Sequence, residues 1–146
     1  MKAQSSIEAS LIISFMMFVL VAFVAVVLKR GEYLKYKENE DAIQRLAELI
    51  KREIEFADHV ETGYTRNFTL PSNFAGLRYN ITLINSTMLN ANYSELVVTA
   101  LNTSKSIAAV ELLPKNVTGN ICSGYNYKNI IKKLSDRVEI SCVLVS

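Results

Sequence analysis

The chain has 146 residues, with 16 Lys and Arg against 14 Asp and Glu, giving a formal net charge of +2. That balance supplies no strong electrostatic drive toward nucleic acid. One His, two Cys and no Trp leave little material for metal or nucleophile chemistry, and the 50% hydrophobic content is raised by one segment near the N-terminus.

That segment is Leu11–Leu28, LIISFMMFVLVAFVAVVL, eighteen residues without a charge. As a helix it is about 27 Å long at 1.5 Å per residue, close to a hydrocarbon core of roughly 30 Å. Ile7, Ala9 and Ser10 close the gap. A soluble buried helix is seldom apolar on every face for so long. A removed signal peptide is the rival reading, but such segments have shorter apolar cores and small residues behind them. Here Lys29, Arg30, Gly31 and Glu32 follow. A retained membrane helix is expected.

Lys29 to Val60 reads as a continuation of the helix. Ile43, Leu46, Ala47, Ile50, Ile54 and Ala57 have the spacing of one face, with charges filling the rest. The stripe covers too few heptads for a coiled-coil stalk and is expected to pack under the chain's own head. Gly31 leaves two readings open, one helix or two, because an interior Gly costs about 1 kcal/mol relative to Ala.

After Gly63 the composition turns to Asn, Ser and Thr. Arg78–Leu83 alternates as a half-buried strand, and Glu95–Leu101 is a second. Asn102–Lys105 is a turn, and Ser106–Leu113 is a third strand that forms a hairpin with the second. Asn85–Ser94 is a loop, with or without a short edge strand, and Pro114–Asn120 is a loop. Lys128–Leu134 is ambiguous and leans to a helical turn. Arg137–Val145 is the last strand. The fold expected is α+β: a long N-terminal helix, membrane-spanning in its first half, with a small antiparallel β-sheet head packed on its second half.

Six N-x-S/T sequons lie after the apolar run, at Asn67, Asn80, Asn85, Asn92, Asn102 and Asn116. They mark candidate N-glycosylation sites on an exported surface, with Asn85, Asn92 and Asn102 favoured as loop positions. The alternative is that Asn and Thr serve only strand edges and turns. Cys122 and Cys142 enclose nineteen residues. A disulfide is expected, and closing such a loop contributes roughly 3 kcal/mol in the chain-entropy model. Two buried thiols are the alternative, and His59 lies too far upstream to complete a zinc site. No phosphate-cradling Gly loop and no G-x-S-x-G occurs. The sequence gives no reason to expect an enzyme, a cofactor, a metal or a nucleic-acid partner.

At the N-terminus, Met1-Lys2-Ala3 precedes Gln4-Ser5-Ser6-Ile7-Glu8-Ala9-Ser10-Leu11. Lys2, Gln4, Ser6, Glu8 and Leu11 form a basic leader and a Q-x-S-x-E-x-x-L pattern that resembles the class III signal peptide of archaeal type IV pilins. The resemblance covers about the first thirty residues and implies cleavage between Ala3 and Gln4 by a prepilin peptidase. It implies residues 1–3 as leader, 4–30 as membrane and filament-core helix, 31–62 as its amphipathic continuation, and 63–146 as an extracellular β-rich head. The partners implied are copies of the chain or other pilins, the peptidase, a membrane assembly platform, and lipid before assembly. Many pilins also carry a C-terminal disulfide loop, which the Cys pair resembles in arrangement.

Glu8 is the fifth residue from Gln4. The resemblance implies that it pairs with the N-terminal amine of a neighbouring subunit. Its plainer reading is a capping box with Ser5 as N-cap. The positive-inside rule conflicts with an external head, since Lys29 and Arg30 follow the run and only Lys2 precedes it. The sequons, the Cys pair and the motif favour the head outside. Archaellins share the same export logic, but the Gln and the E-x-x-L favour the pilin branch. A membrane-tethered minor pilin or surface glycoprotein, and a single-span accessory subunit of a membrane complex, are the competing functions.

Overall fold

The computed structural model describes residues 2–101, 103 and 105–145, with the side chains of residues 2–6 and 9 outside the description. The chain divides into two compact units, Met1–Glu38 and Asn39–Ser146. Helix α1 (Lys2–His59) provides nearly all of the first unit and the start of the second.

In the first unit every side chain from Ser10 to Lys35 is exposed. Large apolar residues dominate that surface, among them Phe15, Phe18, Leu20 and Phe23. Ser14, the one hydroxyl within the apolar run, donates to the carbonyl of Ser10 at 2.8 Å. This intrahelical bond removes an unpaired donor from an apolar surface. Residues on both sides of Gly31 are helical, and a Cβ added there meets nothing within 4 Å.

In the second unit α1 turns one stripe inward. Ala42, Ile43, Leu46, Ala47, Ile50, Ile54 and Ala57 are all buried, as the three- and four-residue spacing predicts. Two four-stranded sheets cover this stripe. The first has the order β1 (Thr65–Phe68), β7 (Tyr127–Lys133), β8 (Val138–Leu144), β6 (Val117–Gly119). The second runs β2 (Asn73–Phe74), β3 (Leu77–Ile84), β4 (Ser94–Ala100), β5 (Ala108–Leu113). All pairs are antiparallel except β6 with β8, which is parallel. The α+β architecture follows the sequence expectation, with more strands than its alternation reveals.

Register puts Tyr79 opposite Ala100, Ile81 opposite Val98 and Leu83 opposite Leu96, so one face of β3 and β4 is apolar. β4 and β5 form the expected hairpin. Of its turn, Asn102 and Ser104 lie outside the described residues.

Three segments correct the sequence expectation. Lys128–Leu134 is not a helical turn: Tyr127–Lys133 is the strand β7, second in its sheet. Pro114–Asn120 is not all loop, since Val117–Gly119 pairs with Val138, Glu139 and Ile140. Asn85–Ser94 is loop only in part and has no edge strand: it begins with a one-turn helix, α2 (Ser86–Leu89), and Ser94 opens β4. The cause of α2 is local. Asn85 is the N-cap, its Oδ1 accepting from the Met88 amide at 3.0 Å, and Asn90 closes the turn in the left-handed region.

Ion pairs fasten the helix to both sheets. Lys51 Nζ lies 2.9 Å from Glu111 on β5. Arg66 on β1 grips Glu53 through Nε at 3.0 Å and Nη2 at 3.1 Å, and its guanidinium sits over the Phe56 ring. Lys133 at the end of β7 pairs with Asp58. Partly exposed pairs contribute about 0–1 kcal/mol each, so burial of the apolar stripe holds the layers together and the pairs orient them.

Candidate functional site

Among the described residues one helix is long and apolar enough to cross a membrane, and its most apolar stretch is wholly uncovered. Glu8 is exposed on the same helix, preceding the apolar run. Lys2, Ala3, Gln4 and Ser6 are helical, with side chains outside the description. Because the helix begins at Lys2, Ser5 lies inside it and is not its N-cap. The capping box is therefore overturned. Lys2, Ala3 and Gln4 are good helix formers, and nothing before Ser5 stops the helix from starting earlier.

At the other end of the molecule's sequence, Cys122 and Cys142 are joined, with Cα atoms 5.8 Å apart. Cys142 sits on β8 opposite Asn129 of β7. Asn129 is fully buried. Its Oδ1 accepts from the Cys122 amide and its Nδ2 donates to the Cys122 carbonyl, each at 2.9 Å. A side-chain amide thus imitates a strand neighbour and holds the Cys122 backbone beside the disulfide. Sequence reasoning missed Asn129. The available signal was an Asn beside the Ile130-Ile131 pair, lying between two half-cystines.

The sequons separate by environment. Asn67 on β1, Asn80 on β3 and Asn92 are exposed. Asn80 faces outward with Arg78 and Thr82, as its alternation predicts. Asn85 is not a free loop residue: it caps α2, is half-buried, and also accepts from Thr87 Oγ1 at 2.8 Å. Asn116 is half-buried in the left-handed region at φ 69, with Nδ2 donating to the Asp136 carbonyl at 3.0 Å. Asn102 lies outside the described residues. An open concavity of about 350 Å³ is lined by Ser86, Thr87, Asn90, Asn92, Lys115 and Asn116, all polar, together with Ala91. Lys115 Nζ donates to Asn92 Oδ1 across it at 3.3 Å.

Three further polar side chains, of His59, Tyr79 and Lys51, make contacts within the fold. His59 Nδ1 lies 2.7 Å from the Glu55 carbonyl in the last turn of α1, where imidazole suits the helix C-terminus. Tyr79 is buried and donates to the Pro71 carbonyl. Burial, with a smaller contribution from Tyr125, pushes its phenol up to about 12. Lys51 is held above its ordinary value, chiefly by the hydrogen bond to Glu111. No cluster of three or more His, Cys, Asp or Glu suited to a metal ion occurs among the described residues.

No protein-family model matches the chain, and neither a curated protein nor a solved structure matches it.

Proposed function

We propose that this chain is a subunit of a type IV pilus-like surface filament, of the kind its N-terminal motif resembles in archaea. One observation carries the reading: a basic leader and Q-x-S-x-E-x-x-L motif stand directly before a helix whose most apolar stretch is uncovered among the described residues. A surface of that kind has two occupants in sequence, lipid and then other copies. A prepilin peptidase removes Met1-Lys2-Ala3. The subunit waits in the membrane by Leu11–Leu28 with its head outside, until an assembly platform extracts it. Close packing among copies then replaces lipid contacts, each small and collectively large.

The role is architectural, and no catalytic step is assigned to any residue. The head, with exposed Asn67, Asn80 and Asn92, forms the outer surface and carries whatever adhesion or glycan the filament presents. The test is the N-terminal peptide mass of material sheared from native cells. A peptide starting at Gln4 in the sheared fraction supports the reading. An N-terminus at Met1, found only in membranes, overturns it and leaves a tethered surface protein. Cleavage at Gln4 with retention in the membrane makes the chain a minor subunit.

A further inference from the structure

Past the apolar run the helix carries two opposed bands of charge. Residues 29–37 hold Lys29, Arg30, Lys35 and Lys37 against the single Glu32. Glu38, Glu40 and Asp41 follow, with no cation before Arg45. The four cations and the three carboxylates of these bands are exposed. Among the described residues none of them has an ion-pair partner in its own chain. The carboxylates therefore differ from Glu53, Asp58 and Glu111 further along, which are paired to or from the sheets.

We propose that the two bands are an interface between copies of this chain, the basic band of one subunit lying against the acidic band of its neighbour. The proposal rests on the filament reading above and specifies the register within it. Parallel copies with no offset set like charge against like. An offset of about seven residues along the helix sets acid against base. Exposed charges are screened beyond about 8 Å at physiological salt, so only touching neighbours sense the bands. Such complementarity fixes register more than it adds affinity. Register needs fixing here because Leu11–Leu28 is apolar on every side and contains a single hydroxyl, already bonded within the helix. Close-packed apolar helices of that kind resist sliding only through side-chain shape. Glu8 stands before the apolar run, and the bands supply a second fixed point behind it.

An anionic lipid headgroup layer is the competing partner for the basic band. It leaves Glu38, Glu40 and Asp41 unmatched and sets them against a like-charged surface. A second copy matches both bands at once.

The test is complementation in trans. One variant carries Lys35→Glu and Lys37→Glu, the other Glu40→Lys and Asp41→Lys. Lys29 and Arg30 are left in place so that the charges flanking the span are kept. Each variant is expressed alone and with the other, and sheared filament yield is measured against the membrane-bound pool. Expected is a loss of roughly tenfold or more for each variant alone, as several like charges are brought together, with yield restored when both are present in one filament. Pairing within one helix cannot give that rescue, because the reversed bands sit on different chains. Wild-type yield from either variant alone, or no rescue on co-expression, overturns the proposal. Absence of rescue with each variant inserted and disulfide-bonded assigns the basic band to lipid instead. Failure of the unaltered chain to appear in sheared filaments overturns the filament reading itself, and the proposal with it.

Discussion

The side-chain amide of Asn129 makes both backbone hydrogen bonds of Cys122, accepting from its N–H and donating to its C=O at 2.9 Å. Asn129 also lies opposite Cys142 in the β7–β8 register. One residue thus touches both halves of the disulfide loop, one by side chain and one by ladder.

Asn129→Leu is expected to destabilise the head by about 2–4 kcal/mol, because two part-buried backbone groups lose their partner. Cys142→Ser is expected to cost about 3 kcal/mol through the freed loop. Since both restrain Cys122, the double variant should cost clearly less than the sum. Denaturant unfolding of the detergent-solubilised chain measures all three. Full additivity would show that the amide and the disulfide act on separate parts of the fold.

Two glycines give opposite expectations. Gly119 has φ +119, and a Cβ there falls 1.8 Å from the Ile140 carbonyl oxygen across the parallel β6–β8 pair. Gly119→Ala should therefore cost more than about 2 kcal/mol, since both the conformation and the space are wrong. Gly31 is helical with nothing near its Cβ position. Gly31→Ala should favour the helix locally by up to about 1 kcal/mol. Thermal unfolding and helical circular dichroism test the pair.

Alkaline pH should loosen the head. Tyr79 has its folded pKa raised from 10.0 to about 12 by burial. The neutral phenol is the form the fold favours, so between these values the unfolded chain binds fewer protons and stability falls as pH rises. Lys51, raised by Glu111, acts in the same direction: its charged form is the stabilised one, and that contribution is lost as pH climbs through the folded value. The unfolding temperature should decline from pH 10 upward. Tyr79→Phe should flatten the part of that decline due to Tyr79, while lowering stability at neutral pH through the lost bond to Pro71. An unchanged slope in that variant would remove Tyr79 as the cause.

Legibility in the sequence followed the kind of signal each element carries. The buried stripe from Ile43 to Ala57 was readable because its spacing is purely local. The alternation of Arg78–Leu83 identified β3 for the same reason. β7 was hidden because its inward positions include Asn129 and Lys133, which are polar for tertiary reasons: one holds Cys122, the other reaches Asp58. β6 has three residues and exists through its partner β8, which follows it by some twenty residues. Asn85-Ser-Thr87 satisfies a sequon and a helix cap at once, and only the fold distinguishes the two uses. At the N-terminus the start of the helix was not legible, because Lys2, Ala3 and Gln4 carry no stop signal and Ser5 has the chemistry of a cap.

That competition at Asn85 predicts a pattern of modification. In protein isolated from its own cells, glycan mass is expected on peptides containing Asn67, Asn80 and Asn92, whose side chains are exposed. Peptides containing Asn85 and Asn116 should be bare, because both side chains are half-buried and engaged in holding local turns. Peptide mass spectrometry before and after deglycosylation decides it. Heavy occupancy at Asn85 would mean that modification precedes the folding of α2.

Glu8→Gln bears most directly on assembly. The substitution keeps size and helix propensity, so the helix is expected to form as before. Membrane insertion, driven by Leu11–Leu28, should be unaltered. If the chain assembles as proposed, Glu8 is carried into apolar surroundings, where a carboxylate is tolerated only beside a cation. Under the proposed function, the free amine that cleavage before Gln4 would leave on a neighbouring copy is such a cation. Replacing the charge removes that attraction and leaves the amine unpaired, which costs more than a neutral pair would. The expected outcome is normal cleavage, a normal membrane pool and a severe loss of sheared filaments. Filaments in wild-type amount would show that Glu8 plays no part in joining subunits.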